Sequence, residues 1–301
     1  MKSPSGKPEH RRPGHIPEIT VIIPVWNGRD HLGDCLRALE IQTLPREAFE
    51  VIVVDNGSTD GTAEFAASFA GIRVINEPEP GSYRARNAGL TQALGAFVAF
   101  TDADCRPAPD WLSEALSTVR RHPDAGVIGG RIDLFSDRFS LAALYERTFA
   151  FRQSETLASG RCTTANWISP RTVLDRLGGF DGGLTSGGDY ELSLRISAVC
   201  PVLYADTMIV RHPARSTLAA LSAKRRRTVG GRWVMRSGPF KTVRIMARGL
   251  ANTTAALKRA FGSRDLLPGQ SLGVAAVIGI LAVVEVDELI RLTCGKAPNR
   301  A

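Results

Sequence analysis

The chain has 301 residues, of which 44% are hydrophobic, enough for one large α/β domain with appendages or for two small domains. Its net charge of +8 is uneven: residues 213–301 contain 16 lysines and arginines against four acidic residues, which leaves −4 for the preceding 212 residues. This contrast argues against a nucleic-acid-binding core and indicates a basic C-terminal region that meets an anionic partner, either lipid headgroups or a phosphorylated acceptor.

The first 17 residues and the cysteines bear on the compartment. Residues 1–17 are polar, basic and rich in proline and glycine, so we expect a disordered tail without a secretory signal. The five cysteines are scattered and form no C-x-x-C pair, which favours a reduced compartment over a disulfide framework or a zinc site. We therefore expect a cytoplasmic protein.

The first hundred residues alternate between strand and helix patterns. The predicted strands are 19–25, 49–54, 72–75 and one from Phe97, and the predicted helices are 29–44, 62–70 and 81–90. Nearly continuous apolar strands are typical of a parallel sheet covered on both faces. Ligands of such open sheets bind at the carboxyl ends of the strands, where Trp26, Asp55 and Asp102 fall. Neither G-x-G-x-x-G nor a Walker A loop follows the first strand, which disfavours dinucleotide binding.

Two carboxylates separated by one residue end the strand that begins at Phe97. Asp102 and Asp104 would point the same way if the strand continued, or converge if the chain turned at Ala103. Two hard oxygen ligands side by side suit Mg²⁺ or Mn²⁺, particularly an ion whose other ligands are phosphate oxygens and water. Taken alone, such a pair is more often a solvated turn at a strand end.

Residues 109–212 continue the α/β pattern less regularly. The predicted helices are 109–121, 137–160, 170–177 and one that starts at Asp189, and the predicted strands are 125–132, 163–169 and 202–210. Asp189 therefore lies at a helix N-terminus, where capping the helix is the alternative to a chemical role.

The sequence beyond residue 213 is basic and helical. Residues 214–262 include a run of four cations at 224–227 and are followed by an apolar segment at 272–284. About 13 helical residues span roughly 20 Å, which is short of the roughly 30 Å hydrocarbon core. We expect an interfacial helix on an anionic membrane surface, and the alternative is a docking helix that covers the sheet or a partner in a homodimer.

A series of short stretches occurs in a fixed order through the first two thirds of the chain. They are residues 21–27, 53–62, 85–89, 101–104, Asn166, 178–181 and 188–192. Together they resemble the family 2 glycosyltransferases, nucleotide-sugar-dependent enzymes of the GT-A fold, a Rossmann-like, mostly parallel open sheet flanked by helices. The resemblance implies a catalytic domain at residues 18–212, followed by a basic helical extension at 213–301.

The resemblance also implies roles for individual residues. The residues that it implies for binding the donor are Pro24, Trp26, Asn27, Asp55, Asn56, Arg86 and Asp102. Asp55 would contact the nucleotide base. Arg86 would lie near the diphosphate, and Arg84 competes for this role. The resemblance implies that Asp102 and Asp104, with His212, hold Mg²⁺ or Mn²⁺. It places the general base at Asp189. The acceptor side would include Asn166, Trp167 and Glu191, although core packing is the alternative for the tryptophan.

The implied reaction is an inverting displacement, in which the cation stabilises the departing diphosphate and one carboxylate takes the proton of an acceptor hydroxyl. Two departures matter. Gly188 stands where the family commonly has Glu, and Val229 stands at the Gln of the Q-x-x-R-W signature that ends in Arg232 and Trp233. The second departure favours transfer of a single sugar over processive synthesis.

We expect a UDP-, GDP- or dTDP-sugar donor and a glycan or lipid-linked acceptor, in cell-envelope polysaccharide or glycolipid synthesis at the inner face of the membrane. Two other classes stay open. A sugar nucleotidyltransferase would need a glycine- and lysine-rich phosphate loop, of which residues 26–29 are a poor version. A non-catalytic module that binds nucleotide sugars or glycans would need no base, which Asp189 argues against.

Overall fold

A computed structural model describes residues 16–298, so nearly all of the tail predicted at 1–17 lies outside the described residues. The elements are, in chain order, β1 (Ile19–Val25), α1 (Arg29–Glu40), β2 (Phe49–Asp55), α2 (Thr62–Ala67), β3 (Ile72–Asn76), α3 (Ser82–Thr91), β4 (Phe97–Phe100), β5 (Arg106–Pro107), α4 (Trp111–Arg121), β6 (Val127–Phe135), α5 (Leu141–Phe149), α6 (Gln153–Leu157), β7 (Trp167–Pro170), α7 (Arg171–Arg176), α8 (Gly188–Ser197), β8 (Val202–Pro213), α9 (Leu218–Val234), α10 (Lys241–Gly262) and α11 (Pro268–Thr293).

The strands form one eight-stranded sheet in the order β3-β2-β1-β4-β7-β6-β8-β5. Strands β1 to β4 run parallel to one another, and Val25 is in register with Asp55, so the carboxyl ends of β1 and β2 meet at one edge. Strand β7 is antiparallel to both β4 and β6, whereas β8 runs parallel to β6. The predicted α/β class with an open, mostly parallel sheet is confirmed.

The parallel strands are buried on both faces, which explains their continuous apolar sequence. Alternate residues of β1 belong to different cores: Ile23 packs with Leu32 of α1, whereas Ile22 packs with Leu90 of α3. All seven residues of β2 are buried, because β2 lies between β1 and β3 and beneath helices on both sides. The helices therefore hold the carboxyl edge of the sheet rigidly in place.

Three predicted elements differ from the structure. The helix predicted at 29–44 ends at Glu40, because the amide of Gln42 donates to carbonyls of residues 38 and 108 and the backbone N–H of Thr43 donates to the carbonyl of Pro109. The helix predicted at 137–160 is two helices, α5 and α6, because Phe151 between them has a left-handed φ of 52°. The strand predicted at 163–169 begins as a 3₁₀ turn at Thr164–Asn166.

The three C-terminal helices pack against one another and against α5. On the inner face of α11, Val277 and Leu281 pack with Ala142 of α5 and Leu221 of α9. The apolar segment predicted at 272–284 is thus part of a 26-residue helix with one face docked on the protein. Of the helices found between residues 16 and 298, none has both the length and the apolar composition needed to cross a bilayer.

Candidate active site

Carboxylates and a histidine converge where β4 ends. The chain turns there, because the backbone N–H of Cys105 donates to the carbonyl of Asp102 over 3.0 Å. His212, near the end of β8, places its Nε2 3.6 Å from Oδ1 of Asp104. One ligand atom from each of Asp102, Asp104, Cys105 and His212 lies within 4.8 Å of the others. The turn brings the two carboxylates together, as in the second of the two predicted arrangements.

This cluster has the donor atoms that a hard divalent cation requires. Nδ1 of His212 lies 2.8 Å from the carbonyl oxygen of Pro213, which can only accept, so Nδ1–H donates this bond and Nε2 is the ring nitrogen that faces Asp104 and could bind a metal. Burial, together with the charges of Asp102 and Asp104, raises the pKa of the Cys105 thiol and keeps it protonated. Two carboxylates and one imidazole are left, a set that suits Mg²⁺ or Mn²⁺.

Arg86 of α3 lies next to this cluster. Its Nη2 is 2.5 Å from Oδ1 of Asp102, and the arginine side chain is buried. Arg84, the competing residue, is exposed on the same helix. The structure therefore brings Arg86, and not Arg84, to the carboxylate pair, where its charge can also meet an anionic ligand.

The neighbouring edge of the sheet carries the predicted nucleotide-side residues. Oδ2 of Asp55 accepts from the backbone N–H of Ser58 over 3.2 Å, while its buried Oδ1 has no hydrogen-bond partner among the described residues. A buried carboxylate oxygen without a donor is costly unless a ligand supplies one. Trp26 is largely exposed beside it, and Asn27 has a left-handed φ of 47°. Asp55 thus offers an acceptor to the N–H or O–H groups of a ligand.

Two predicted donor-side residues have structural roles at this edge. The side-chain amide of Asn56 donates to the carbonyls of Glu77 and Glu79 and accepts from the N–H of Gly81, so it shapes the loop before α3. Pro24 lies within β1, in register with Val54. Neither side chain has a polar group left to offer a ligand.

Asp189 is the second residue of α8 and does not occupy its N-cap position. The N-cap position is Gly187, with a left-handed φ of 83°. Oδ1 of Asp189 accepts from the hydroxyl of Tyr83 over 3.3 Å and from the backbone N–H of Tyr190 over 3.0 Å. Burial raises the pKa of Asp189, and these hydrogen bonds with the charge of Arg86 only partly oppose the rise. A carboxylate so placed is a stronger base than an exposed one.

A cavity of about 590 Å³ joins these groups. Arg86, Asp102, Asp189 and His212 line it from the α/β part of the chain. The facing wall comes from α5, α9 and the segments beside them, among them Glu146, Phe151, Lys224 and Arg227. The C-terminal helices therefore complete the cavity, which composition alone did not indicate.

The three residues predicted on the acceptor side do not reach this cavity. Asn166 is fully buried: its Oδ1 accepts from the indole of Trp111 over 2.8 Å, and its Nδ2 donates to two backbone carbonyls. Trp167 is also fully buried, and its indole donates to Ser169. Glu191 pairs with Arg195 one turn later. These side chains therefore stabilise the sheet and α8, and we correct the predicted acceptor contacts accordingly.

Sequence reasoning missed two aromatic residues at the site. Tyr83 lies one turn before Arg86 on α3, and its hydroxyl reaches Asp189. The ring of Phe151 packs on the imidazole of His212, with 4.4 Å between ring centroids. The spacing of Tyr83 and Arg86 on one helix face could have indicated the first. Nothing local indicates the second, because the break in the helix places it.

Comparison with known proteins decides the family. The family described as Glycosyl transferase family 2 matches residues 20–178. The chain belongs to glycosyltransferase family 2. The predicted resemblance is thereby confirmed.

This glycosyltransferase is 36% identical over 208 residues to Glycosyltransferase AglE of Haloferax volcanii. The match covers 66% of this chain and 68% of that relative. It is 29% identical over 232 residues to the Pre-mycofactocin glycosyltransferase of Mycobacterium tuberculosis, covering 72% of this chain but only 46% of that longer relative.

Two solved structures share this fold. The mannosyltransferase PcManGT from Pyrobaculum calidifontis, in complex with GDP-Man and Mn²⁺, aligns with a TM-score of 0.61 at 23% identity, over 95% of this chain and 87% of that one. Residues 1–349 of S. aureus TarS, in complex with UDP-GlcNAc, align with a TM-score of 0.55 at 20% identity. This alignment covers 91% of this chain and 81% of that one. The family 2 chain therefore has the GT-A fold.

Proposed function

We propose that this family 2 glycosyltransferase is an inverting, metal-dependent enzyme that moves one sugar from a nucleoside-diphosphate sugar to an acceptor hydroxyl. One observation carries the proposal: the metal-suited cluster of Asp102, Asp104 and His212 and the carboxylate of Asp189 belong to the same site around one cavity. A transferase of this kind needs a cation at the leaving group and a base at the acceptor.

Each group has a defined part in this reaction. Asp55 would accept a hydrogen bond from the nucleotide, and Arg86 would meet the diphosphate beside Asp102. A bound Mg²⁺ or Mn²⁺ would stabilise the charge of the departing diphosphate. Asp189 would take the proton of the acceptor hydroxyl. At the same time the oxygen of that hydroxyl would bond to the anomeric carbon, and the bond from this carbon to the diphosphate oxygen would break. Attack opposite the leaving group inverts the anomeric configuration.

The proposal of single-sugar transfer draws support from the residue at the missing Gln position. Val229 is fully buried and packs with Ile245 of α10 and Leu289 of α11. Arg232 on the same helix binds Glu285 over 2.8 Å. This position therefore packs the C-terminal helices together and has no polar group for a growing glycan.

Turnover of a panel of UDP-, GDP- and dTDP-sugars tests the proposal, in Mn²⁺, in Mg²⁺ and with chelator. We expect slow release of nucleotide from one donor, abolished by chelator and by Asp104→Ala but retained by the surface variant Asp133→Ala. Nuclear magnetic resonance of the transfer product should show an inverted anomeric centre. Hydrolysis that is indifferent to chelator would contradict the metal role. Formation of a nucleotide sugar from a nucleoside triphosphate and a sugar phosphate would instead identify a nucleotidyltransferase.

We further propose that α10 holds the enzyme on an anionic membrane surface, at the inner face of the cell membrane. Val243 and Leu250, two turns apart on one face of α10, are 61% and 69% exposed. Arg244 and Arg248 on the same helix have no ion pair with any residue between 16 and 298. Exposed apolar side chains flanked by unpaired cations are typical of helices that lie in a lipid interface. Such a location would suit glycolipid or cell-envelope polysaccharide synthesis.

Co-sedimentation with vesicles tests the membrane proposal. We expect binding to mixed phosphatidylcholine and phosphatidylglycerol vesicles, weaker binding to phosphatidylcholine alone, and loss of binding in Val243→Asp with Leu250→Asp. Ile41→Asp, which changes an exposed apolar residue of the α/β part, is the matched control. If the variant instead converts a dimer to a monomer in sedimentation velocity and vesicles never bind, a second copy covers this face.

A further inference from the structure

Five cations line the wall of the cavity that faces Asp189. They lie on α9 or just before it and are Arg215, Lys224, Arg225, Arg227 and Arg232. Neither the donor-side residues nor the metal cluster includes any of them. A cationic wall of this size in a cleft focuses the electrostatic potential and raises the local concentration of anionic ligands.

Ion pairs account for four of these five cations. Arg215 and Lys224 share the carboxylate of Glu146, at 2.9 and 2.7 Å. Arg225 and Arg232 share that of Glu285, at 2.9 and 2.8 Å. Arg227 is the cation of this wall without an ion pair to any described residue. Two carboxylates against five cations leave the wall with a surplus of three positive charges.

Helix α9 runs past both ends of the cavity: the metal end, near His212, and the base end, near Asp189. The ammonium of Lys224 lies 4.9 Å from the centre of the Phe151 ring, which packs on His212, so Lys224 is at the metal end. At the base end, the backbone of α9 contacts the loop before α8: a Cβ on Gly231 would lie 2.5 Å from the carbonyl oxygen of Ser186. That loop leads directly into the helix that carries Asp189.

Arg227 belongs to the base end. It precedes Gly231 by four residues, one helical turn, and so shares the helix face that contacts this loop. Burial raises the pKa of Tyr83 and the charge of Arg227 opposes that rise, which means that Arg227 lies within electrostatic range of the tyrosine that binds Asp189. An unpaired guanidinium therefore lines the same cavity as the proposed general base, on the helix that contacts the loop before α8.

We propose that the acceptor carries a phosphate group and that Arg227 binds this phosphate while Asp189 receives the proton of the acceptor hydroxyl. This inference rests on the proposed function. The ligand class is a phosphate-bearing sugar, either soluble or linked through its phosphate to a lipid. A guanidinium makes two parallel hydrogen bonds to a phosphate, and the negative charge of the phosphate offsets part of the surplus of three positive charges.

Matched acceptors test this proposal with the donor that the enzyme turns over. For each of several sugars, a decyl glycoside, a decyl glycosyl phosphate and a methyl glycosyl phosphate are compared. We expect kcat/KM to be roughly 10- to 100-fold higher for acceptors with the phosphate. A preference for the decyl over the methyl ester would identify a lipid-linked acceptor, and equal use of the two would identify a soluble one. Equal use of the phosphate-free glycoside overturns the proposal.

Variants assign the phosphate preference to Arg227. We expect Arg227→Ala to raise the acceptor KM and abolish the preference, and Arg227→Lys to restore part of it. The control is Arg236→Ala, which removes an exposed cation just beyond α9. Donor hydrolysis is measured in parallel. If Arg227→Ala lowers hydrolysis as much as transfer, Arg227 serves the donor and the proposal fails.

A binding measurement keeps the proposal testable without any acceptor turnover. Methyl phosphate is titrated calorimetrically into enzyme saturated with Mn²⁺ and UDP or GDP, so that the donor site is already filled. We expect saturable binding to the wild type and to Arg236→Ala, and its loss in Arg227→Ala. No binding to the wild type, or equal binding to Arg227→Ala, overturns the proposal. If the wild type hydrolyses its donor but neither prefers acceptors with a phosphate nor binds methyl phosphate, this inference is refuted and the proposed function stays intact.

Discussion

The hydroxyl of Tyr83 donates a hydrogen bond to Oδ1 of Asp189 over 3.3 Å and so links α3, which carries Arg86, to the proposed base on α8. The Tyr83 ring also fills the space beside Gly188, where a Cβ would lie 2.8 Å from ring carbons. Gly188 is the position at which the family commonly has Glu. The acidic neighbour of the base is thus replaced by a phenol, and only glycine leaves room for it.

Tyr83→Phe should move the acidic limb of the pH–kcat profile to higher pH. The hydrogen bond from Tyr83 lowers the pKa of Asp189, and burial raises it, so loss of the hydroxyl raises that pKa further. Asp189 must be ionised to act as a base, and activity then falls at a higher pH on acidification. We expect kcat at neutral pH to drop roughly fivefold, the equivalent of about 1 kcal/mol.

Tyr204→Phe is the control for this change, because the Tyr204 hydroxyl also bonds a carboxylate, that of Asp206, but at the surface. Its profile should match the wild type. An unshifted acidic limb in Tyr83→Phe would show that Asp189 does not titrate in the rate-limiting step.

Gly231→Ala should lower both stability and activity, because a Cβ there collides with the carbonyl of Ser186 and pushes α9 off the base-side loop. Overpacking of this kind costs about 1–3 kcal/mol in the free energy of unfolding. Gly279→Ala on α11 meets no atom within 4 Å and should be neutral or stabilising by up to about 1 kcal/mol through helix propensity. The free energy of unfolding in denaturant and kcat are measured for both variants. Equal effects in the two would contradict the close contact between Gly231 and the carbonyl of Ser186.

Glu146→Gln should destabilise the protein by about 3 kcal/mol, because it leaves Arg215 and Lys224 without their shared buried carboxylate. Glu155→Gln, at an exposed ion pair with Arg152, should cost less than about 1 kcal/mol. Chemical denaturation measures both. Similar losses for the two variants would contradict a special role for the buried carboxylate.

The pH dependence of unfolding gives a second readout for Glu146. Burial raises the pKa of this carboxylate, but the charges of Lys224 and Arg215 outweigh burial and hold it below 4.5. A folded-state pKa below the unfolded one adds stability above about pH 4.5 that is lost as the pH falls. In Glu146→Gln this part of the acid-induced loss should disappear, so the stability profile of the variant should be flatter at acidic pH.

Much of the site was predictable because its residues follow strands in a regular order. Asp102, Asp104 and Asp55 each lie at a strand end, where parallel strands bring them to one edge. Arg86 and Asp189 belong to stretches that the family shares. His212 was expected just beyond a strand at 202–210, whereas β8 extends to Pro213 and includes it; its ligand role stays a prediction.

The remainder depends on contacts between distant parts of the chain. The left-handed φ of Phe151 breaks a helix that apolar periodicity predicted as continuous, and its packing on His212 involves residues far apart in sequence. Asn166 matches a family stretch whether its amide points at a ligand or, as here, bonds Trp111 and the sheet. Only tertiary structure distinguishes these outcomes. The same holds for Arg227, which the sequence does not distinguish from the other three cations of the run at 224–227.

Binding of Mn²⁺ to the purified chain, followed by electron paramagnetic resonance with and without UDP or GDP, tests the metal site most directly. The wild type and Asp133→Ala should bind Mn²⁺ together with the nucleotide, and Asp104→Ala should bind it at least about tenfold more weakly, since a carboxylate ligand is lost. Mn²⁺ affinity that is the same in Asp104→Ala and the wild type would contradict the assignment of this cluster as the metal centre of the glycosyltransferase.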